Sequence, residues 1–231
     1  MFDIKNNVFH SIQQSCILCG ARNYKDYCIC EDCLKDLPFI NNGCEICGIP
    51  VDNSTNICGK CITTPPTFQS TISLLNYDPP VDYLVKNLKY RNQTVIAELI
   101  GKLIGEKISH RQQKKPDCII PIPLHPNRLK KRGFNQALEI ARPISRKLRI
   151  PINTNAFSRI IDTKPQFELN ASDRTKNLKN AFQQNHKINV KHVAIIDDVM
   201  TTGSTVDAFS NLLIESGINK IEVWTGARAI T

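Results

Sequence analysis

Beyond residue 62, short apolar runs alternate with segments whose apolar residues recur at helical spacing. Strands are predicted at 71–77, 117–121, 154–161, 193–197 and 220–225. Helices are predicted near 80–90 and 94–110, over 136–148 with a bend at Pro143, and again after residue 205. Alternating strands and helices indicate a parallel sheet with right-handed crossovers. The pattern therefore predicts one α/β domain over residues 63–231, which begins at a Thr/Pro-rich linker.

The first 62 residues follow another pattern. Residues 1–15 have the spacing of a short amphipathic helix, and nine of the ten cysteines lie between Cys16 and Cys61. Eight of them form four C-x-x-C pairs: Cys16/Cys19, Cys30/Cys33, Cys44/Cys47 and Cys58/Cys61. Two residues between thiolates let both sulfurs bind one metal ion. The pairs thus predict two structural zinc sites in a double zinc ribbon at residues 1–62.

The two halves of this region repeat, since each has two C-x-x-C pairs separated by ten residues that begin with Gly20 or Gly48. Sequential ligation uses the two pairs within each half, and interleaved ligation joins the first pair to the third and the second to the fourth. Spacing leaves both open. Disulfides are the weaker interpretation without a secretory signal. Cys28 and Cys118 are left over, and Cys118 falls in an apolar strand as a small buried residue.

Charge is distributed unevenly along the chain. The net charge is +9, with −2 in residues 1–61 and +11 in residues 62–231. The segment 111–149 alone has eleven basic and two acidic residues, more than a phosphate pocket needs, which favours a nucleic-acid partner. No run of eighteen apolar residues is present, so no membrane insertion is expected. Residues 1–7 lack a signal peptide's apolar stretch, and we expect a cytoplasmic protein.

One stretch near the C-terminus has the chemistry of a sugar-phosphate site. A β-branched apolar run is followed by Asp197 and Asp198, and then by hydroxyl residues and a glycine that open a helix: Thr201, Thr202, Gly203, Ser204 and Thr205. Free backbone N–H groups and the helix dipole bind an anion at such a turn. The carboxylates suit a ribose diol or a magnesium shell. The pattern predicts a ribose 5-phosphate site, whereas an ordinary Asp-rich strand–turn–helix is the plainer alternative.

Two further stretches are candidates to complete this site. Residues 118–136 run from a strand into a basic loop, where a pyrophosphate would meet Leu124, His125, Arg128, Lys131 and Arg132. Residues 163–182 have the length and polarity of a lid, in which Lys164 and Arg174 are the cations expected to close over the ligand. Ordinary surface loops would have a similar composition.

The Asp-Asp-x-x-Thr-Thr-Gly-Ser-Thr string is similar to the PRPP-binding signature of type I phosphoribosyltransferases. Over the whole chain, the cysteine repeats and a series of short motifs resemble the ComF family, which has GntX-type relatives. The motifs are Lys89–Arg91, Pro121–His125, Arg132–Gln136, Lys164–Gln166, Arg174 with Asn177, Ala181–Phe182 and the Asp-Asp loop.

This resemblance implies a type I phosphoribosyltransferase-like fold behind a double zinc ribbon, and a competence protein that acts on single-stranded DNA during natural transformation. It also implies PRPP with Mg²⁺ as ligand and other competence proteins as partners. In a transferase, Asp197 and Asp198 would hold the ribose hydroxyls, while Thr201 to Thr205 would hold the 5-phosphate. Nothing in the sequence specifies an acceptor, so a DNA-handling factor, a metabolic phosphoribosyltransferase and a non-catalytic PRPP sensor all remain open.

Overall fold

The computed structural model of the protein describes residues 14–23, 27–162 and 180–230, which belong to two compact units. One unit ends at Leu37 and the other begins at Pro38. In the first unit, β1 (Gln14–Ser15) and β2 (Arg22–Asn23) pair antiparallel and are followed by α1 (Glu31–Lys35). The helix predicted over residues 1–15 lies outside the described residues except for its last two, which form β1.

The second unit alternates strands and helices after a short first helix, as predicted. Its helices are α2 (Gly59–Thr63), α3 (Val81–Tyr90), α4 (Val95–Ser109), α5 (Pro126–Arg132), α6 (Gln136–Leu148) and α7 (Ser204–Glu215). Its strands are β3 (Ser70–Asn76), β4 (Cys118–Pro121), β5 (Phe157–Arg159), β6 (Phe182–Gln184), β7 (His192–Met200) and β8 (Lys220–Arg228).

Four of these strands form the central sheet in the order β3-β8-β7-β4, and all of them run parallel. The parallel sheet that the alternating pattern predicts is therefore confirmed. β7 and β8 are the central strands, and both are buried along nearly their whole length because other elements cover the two faces of the sheet.

Each face of the sheet is covered by a different set of elements. On one face, α7 and the β5–β6 hairpin pack together: the ring of Phe209 lies 5.5 Å from that of Phe157 and 4.8 Å from that of Phe182. On the other face, α4 and α6 approach so closely that a Cβ at Gly101 would lie 2.4 Å from the carbonyl oxygen of Ile140. This packing fixes the two helix layers to the sheet.

Three sequence predictions differ from the structure. β7 does not end at residue 197, as predicted, but continues to Met200, because β8 keeps pairing with it as far as Arg228. The strand predicted at 154–161 is only β5, and it pairs antiparallel with β6 instead of joining the parallel sheet. The predicted basic loop after β4 contains α5, which Pro126 starts and Gly133 ends in a left-handed conformation.

The second four-cysteine region belongs to the same compact unit as the sheet, since that unit begins at Pro38. The backbone N–H of Thr71 in β3 donates to the carbonyl of Glu45, and the Thr71 hydroxyl donates to that of Ile46 at 2.6 Å. The domain boundary at residue 62 stays a prediction. Within the described ranges, none of the helices has the length and apolar character needed to cross a membrane.

Candidate functional site

The two predicted carboxylates lie in β7, near the C-terminal edge of the sheet. Neighbouring side chains of a strand point to opposite faces, so Asp197 and Asp198 have different surroundings. Asp197 lines a small pocket with loop residues that include Thr201, Gly203 and Thr205. Asp198 is buried and meets α3 on the other face. The structure therefore places only Asp197 in the pocket.

Asp198 is held by a buried ion pair. The Nζ atom of Lys89, near the end of α3, lies 2.8 Å from the Oδ2 atom of Asp198, and both side chains are largely shielded from water. Burial opposes the charged lysine, but attraction to Asp198 outweighs it, and the pKa of Lys89 is raised above its ordinary value. Asp198 Oδ1 also accepts a hydrogen bond from the N–H of Val199 at 2.9 Å. This carboxylate is fixed in place.

The electrostatic surroundings of Asp197 disfavour its ionised form. Burial, and then the neighbouring negative charge of Asp198, raise the pKa of Asp197 to about 8, although Lys89 partly opposes the shift. A positive charge bound in the pocket would therefore favour the ionised form of this carboxyl group. A cation bound with an anionic ligand would supply that charge.

The hydroxyl-rich loop runs from the end of β7 into α7. Gly203 has a φ of 83°, in the left-handed region that favours glycine, and it forms the N-cap of α7. The hydroxyls of Thr202 and Ser204 lie 2.7 Å apart, and Ser204 N–H donates to Thr202 Oγ1 at 3.4 Å. The loop thus places hydroxyl groups at the N-terminal end of a twelve-residue helix, where its dipole favours an anion.

The basic side chains that were predicted to bind pyrophosphate lie in two different places. Arg128 Nε donates to Asp162 Oδ1 at 2.8 Å, and His125 Nδ1 lies 3.6 Å from the other oxygen of that carboxylate. Arg132 instead donates to Gln136 at 3.0 Å and lies over the ring of Tyr90 at 5.8 Å. Asp162 follows β5, so the β5–β6 hairpin supplies the carboxylate that holds two of the basic side chains.

The remaining predicted residues are less informative. Leu124 is half-buried and offers only its backbone to an anion, while Lys131 is exposed on α5. Lys164 and Arg174 lie outside the described residues, so the predicted lid stays a prediction. The roles assigned to the ribose, phosphate and pyrophosphate residues stay predictions as well.

Sequence reasoning missed a buried arginine that feels the charge of Asp197. Arg159 at the end of β5 is 7% exposed, and its guanidinium lies 5.5 Å from the Phe182 ring. Burial and the nearby charge of Arg128 lower its pKa, whereas Asp197 and Asp162 act in the opposite direction. These mutual effects place Arg159 in the electrostatic surroundings of both carboxylates. The available signal was an arginine in the short run Phe157–Ile161, in which Ser158 is the other polar residue.

The eight cysteines of the C-x-x-C pairs form two separate clusters: Cys16, Cys19, Cys30 and Cys33, and then Cys44, Cys47, Cys58 and Cys61. In each cluster the four sulfurs lie within 4.8 Å of one another. The structure thus selects sequential ligation over the interleaved alternative. Cys19 and Cys30 sulfurs are 3.7 Å apart, and those of Cys47 and Cys58 are 3.6 Å apart. Tetrahedral zinc with bonds near 2.3 Å requires about 3.8 Å, so the clusters fit zinc.

Both clusters are built in the same way. The first pair lies in a tight turn closed by Gly20 or Gly48, whose φ angles are 75° and 70°. The second pair begins at the N-cap of a short helix, at Cys30 for α1 and at Cys58 for α2. Despite desolvation, backbone N–H groups lower the pKa of Cys16 to about 6, and similar bonds lower that of Cys44 to about 7. These bonds favour the thiolate form that binds metal.

The sheet order, the carboxylates of β7 and the hydroxyl loop at α7 define a type I phosphoribosyltransferase-like fold, here joined to an N-terminal double zinc ribbon. The double zinc ribbon domain family matches residues 12–62. Superposition on adenine phosphoribosyltransferase from Leishmania tarentolae covers 68% of this chain and 91% of that one, with a TM-score of 0.39 and 14% identity.

Relatives are found over almost the whole chain. It is 34% identical over 206 residues to the DNA utilization protein YhgH of Escherichia coli O157:H7, an alignment that covers 87% of this chain and 91% of the relative. It is 35% identical over 208 residues to Competence protein F of Haemophilus influenzae, covering 87% and 89%. The chain therefore belongs to the ComF family of competence and DNA utilization proteins.

Proposed function

We propose that this chain is a cytoplasmic competence protein that binds PRPP at the end of β7 and single-stranded DNA on its basic surface during natural transformation. One observation carries the PRPP part: Asp197 lines the same small pocket as Thr201, Gly203 and Thr205. An acceptor for sugar hydroxyls then adjoins a helix N-terminus that favours a phosphate. The names of the relatives support the competence role.

The ligand is expected to bind in three parts. The 5-phosphate enters the loop from Thr201 to Thr205, and the ribose hydroxyls face Asp197. Mg²⁺ bound with the pyrophosphate would neutralise part of its charge, and Asp197 is the carboxylate in this pocket that would face the ion. The pyrophosphate extends toward Arg128 and Arg159, whose guanidinium groups suit phosphate oxygens.

The DNA part of the proposal is supported by charge and by one exposed aromatic side chain. Residues 111–149 carry eleven basic and two acidic residues, and many of the basic side chains are exposed on α5 and α6. Tyr90 is 71% exposed beside Arg132, and an aromatic ring next to a guanidinium suits a stacked nucleobase. Backbone contacts to several phosphates would make the affinity fall steeply with salt.

A salt series of binding to a labelled single-stranded oligonucleotide tests this proposal. Fluorescence anisotropy is measured from low to high salt, with and without PRPP and Mg²⁺. The variant Arg142→Gln/Lys147→Gln removes two exposed charges of α6, and Lys35→Gln/Lys60→Gln is the matched control in the cysteine-rich region. We expect the α6 variant to make the slope of log affinity against log salt shallower by about 1.4, since each phosphate contact with a single strand contributes about 0.7, while the control leaves the slope unchanged.

The outcomes separate the candidate functions. Salt-sensitive DNA binding that PRPP alters supports the joint proposal. PRPP binding without DNA binding at low salt would contradict it and would favour a small-molecule transferase or a PRPP sensor. DNA binding without any PRPP binding would contradict the assignment of the loop at Asp197.

A further inference from the structure

The side chain of Arg228 joins two parts of the molecule that have separate chemical roles. Arg228 ends β8 and is only 6% exposed. Its Nε atom donates to the carbonyl of Cys47 at 2.9 Å, within the second cysteine cluster. Its Nη1 atom donates to the carbonyl of Met200 at 3.1 Å and also to that of Thr201. One guanidinium thus bridges a metal-binding turn and the start of the hydroxyl loop.

The turn at Cys47 and Gly48, which Arg228 contacts, is tightly packed against β3. The turn after Cys47 needs Gly48, because a Cβ there would lie 2.5 Å from the Ser73 hydroxyl and 2.8 Å from the Thr71 methyl carbon. Thr71 also binds the turn through its N–H and its hydroxyl. A metal held by the cysteine sulfurs would fix the remaining freedom of this turn. The Cys47 carbonyl then has a defined position for Arg228.

The start of the hydroxyl loop is bound by the same guanidinium group of Arg228. Met200 and Thr201 are the residues at which the chain leaves β7, directly before Thr202 and Gly203. The Met200 carbonyl also accepts from the N–H of Ala229, the residue after Arg228. A buried guanidinium that lost its cluster acceptor would have to move or rehydrate, and its loop bonds would move with it. Small displacements of this kind weaken ligand positioning strongly.

We propose that Arg228 is a positioning residue through which zinc at Cys44, Cys47, Cys58 and Cys61 sets the affinity of the 201–205 loop for a phosphate monoester. This inference rests on the proposed function, since it takes that loop as the phosphate site. It gives the second zinc site a role beyond folding and does not extend that role to the first. By reciprocity, a phosphate monoester in the loop also raises the affinity of the second cluster for zinc by the same factor.

The test uses the full zinc-loaded chain and ribose 5-phosphate as probe, with affinity measured by calorimetry. Cys47→Ser/Cys58→Ser disrupts the second cluster, and Cys19→Ser/Cys30→Ser is the matched control in the first. We expect the second-cluster variant and Arg228→Met each to weaken binding at least fivefold, in the usual range of coupling between sites. Their combination should be no weaker than the worse of the two, and the control should bind as the wild type does.

A second measurement leaves Arg228 and the second cluster unchanged. The equilibrium distribution of zinc between a coloured chelator and the control variant, which retains only the second cluster, is measured with and without ribose 5-phosphate. Tighter zinc binding with the probe is expected, and an unchanged zinc affinity would overturn the coupling. Equal probe affinity of the wild type and both second-site variants would also overturn it and would leave the phosphate site intact. No probe binding by the wild type would refute the proposed function together with the coupling.

Discussion

The buried pair of Lys89 and Asp198 makes a quantitative prediction. Replacing Lys89 by Met keeps most of the side-chain volume but removes the charge that lies 2.8 Å from Asp198. At that distance the attraction is about 6 kcal/mol for an effective dielectric constant of about 20, and desolvation offsets part of it. Since breaking a buried pair leaves one charge uncompensated, we expect Lys89→Met to lower the free energy of unfolding by about 3 kcal/mol at pH 7.5.

A matched control lies one turn earlier on the same helix. Lys86 forms an ion pair with Asp82 at 2.9 Å, but its side chain is 62% exposed. Lys86→Met removes the same type of charge from α3, and we expect little or no change in stability because solvent screens the pair. The assay is urea unfolding followed by fluorescence of Trp224, the one tryptophan of the chain, which is fully buried in β8.

A double-mutant cycle separates the ion pair from the packing of the lysine stem. In Lys89→Met/Asp198→Asn neither charge remains, so the loss should be smaller than the sum of the two single losses by about 1.5 kcal/mol or more. Additivity of the two changes within about 0.5 kcal/mol would refute the reasoning. So would equal losses for Lys89→Met and Lys86→Met.

Three further predictions concern the pocket and the metal clusters. Because the pKa of Asp197 is raised from 3.8 to about 8, the folded chain binds the extra proton, and stability is lost as the pH rises from about 4 through 8. Asp197→Asn should therefore be more stable than the wild type by about 1 kcal/mol at pH 8.5 and lose this advantage at pH 4, and urea unfolding at the two pH values checks it. Asp162→Asn releases Arg128 from its carboxylate and should bind inorganic pyrophosphate more tightly, by about threefold to tenfold in calorimetry; weaker binding would show that Asp162 helps to hold the ligand. Elemental analysis should find two zinc ions per reduced chain and one after either Cys16→Ser or Cys44→Ser, while two ions retained in both variants would contradict the two separate clusters.

The sequence predicted most strongly those features that depend on local spacing. Four C-x-x-C pairs led to two clusters, because two intervening residues are enough to bring two sulfurs to one metal. Helices near 80–90, 94–110 and 136–148 were found at 81–90, 95–109 and 136–148. In these segments the apolar period alone determines which face packs against the sheet.

The features that the sequence did not predict depend on contacts between distant parts of the chain. Nothing in the run 154–161 indicates that β5 pairs with β6 instead of the main sheet. The end of β7 is set by its partner β8, so apolar periodicity ended the strand too early. The positions of Arg159 and Asp162 depend on the β5–β6 hairpin, which packs on Phe209, and the bond from Arg228 to Cys47 spans 181 residues.

Binding of PRPP with Mg²⁺ to the full zinc-loaded chain, measured by calorimetry, tests the central claim most directly. The comparison uses the wild type, Asp197→Asn and the control Asp82→Asn, which changes a half-buried carboxylate of α3 that pairs with Lys86. We predict that the wild type and the control bind equally, and that Asp197→Asn loses affinity by about tenfold to a hundredfold, as expected for a lost hydrogen bond to a charged group. Equal affinity of all three proteins, or no binding by the wild type, would contradict the assignment of the Asp197 pocket as a PRPP site.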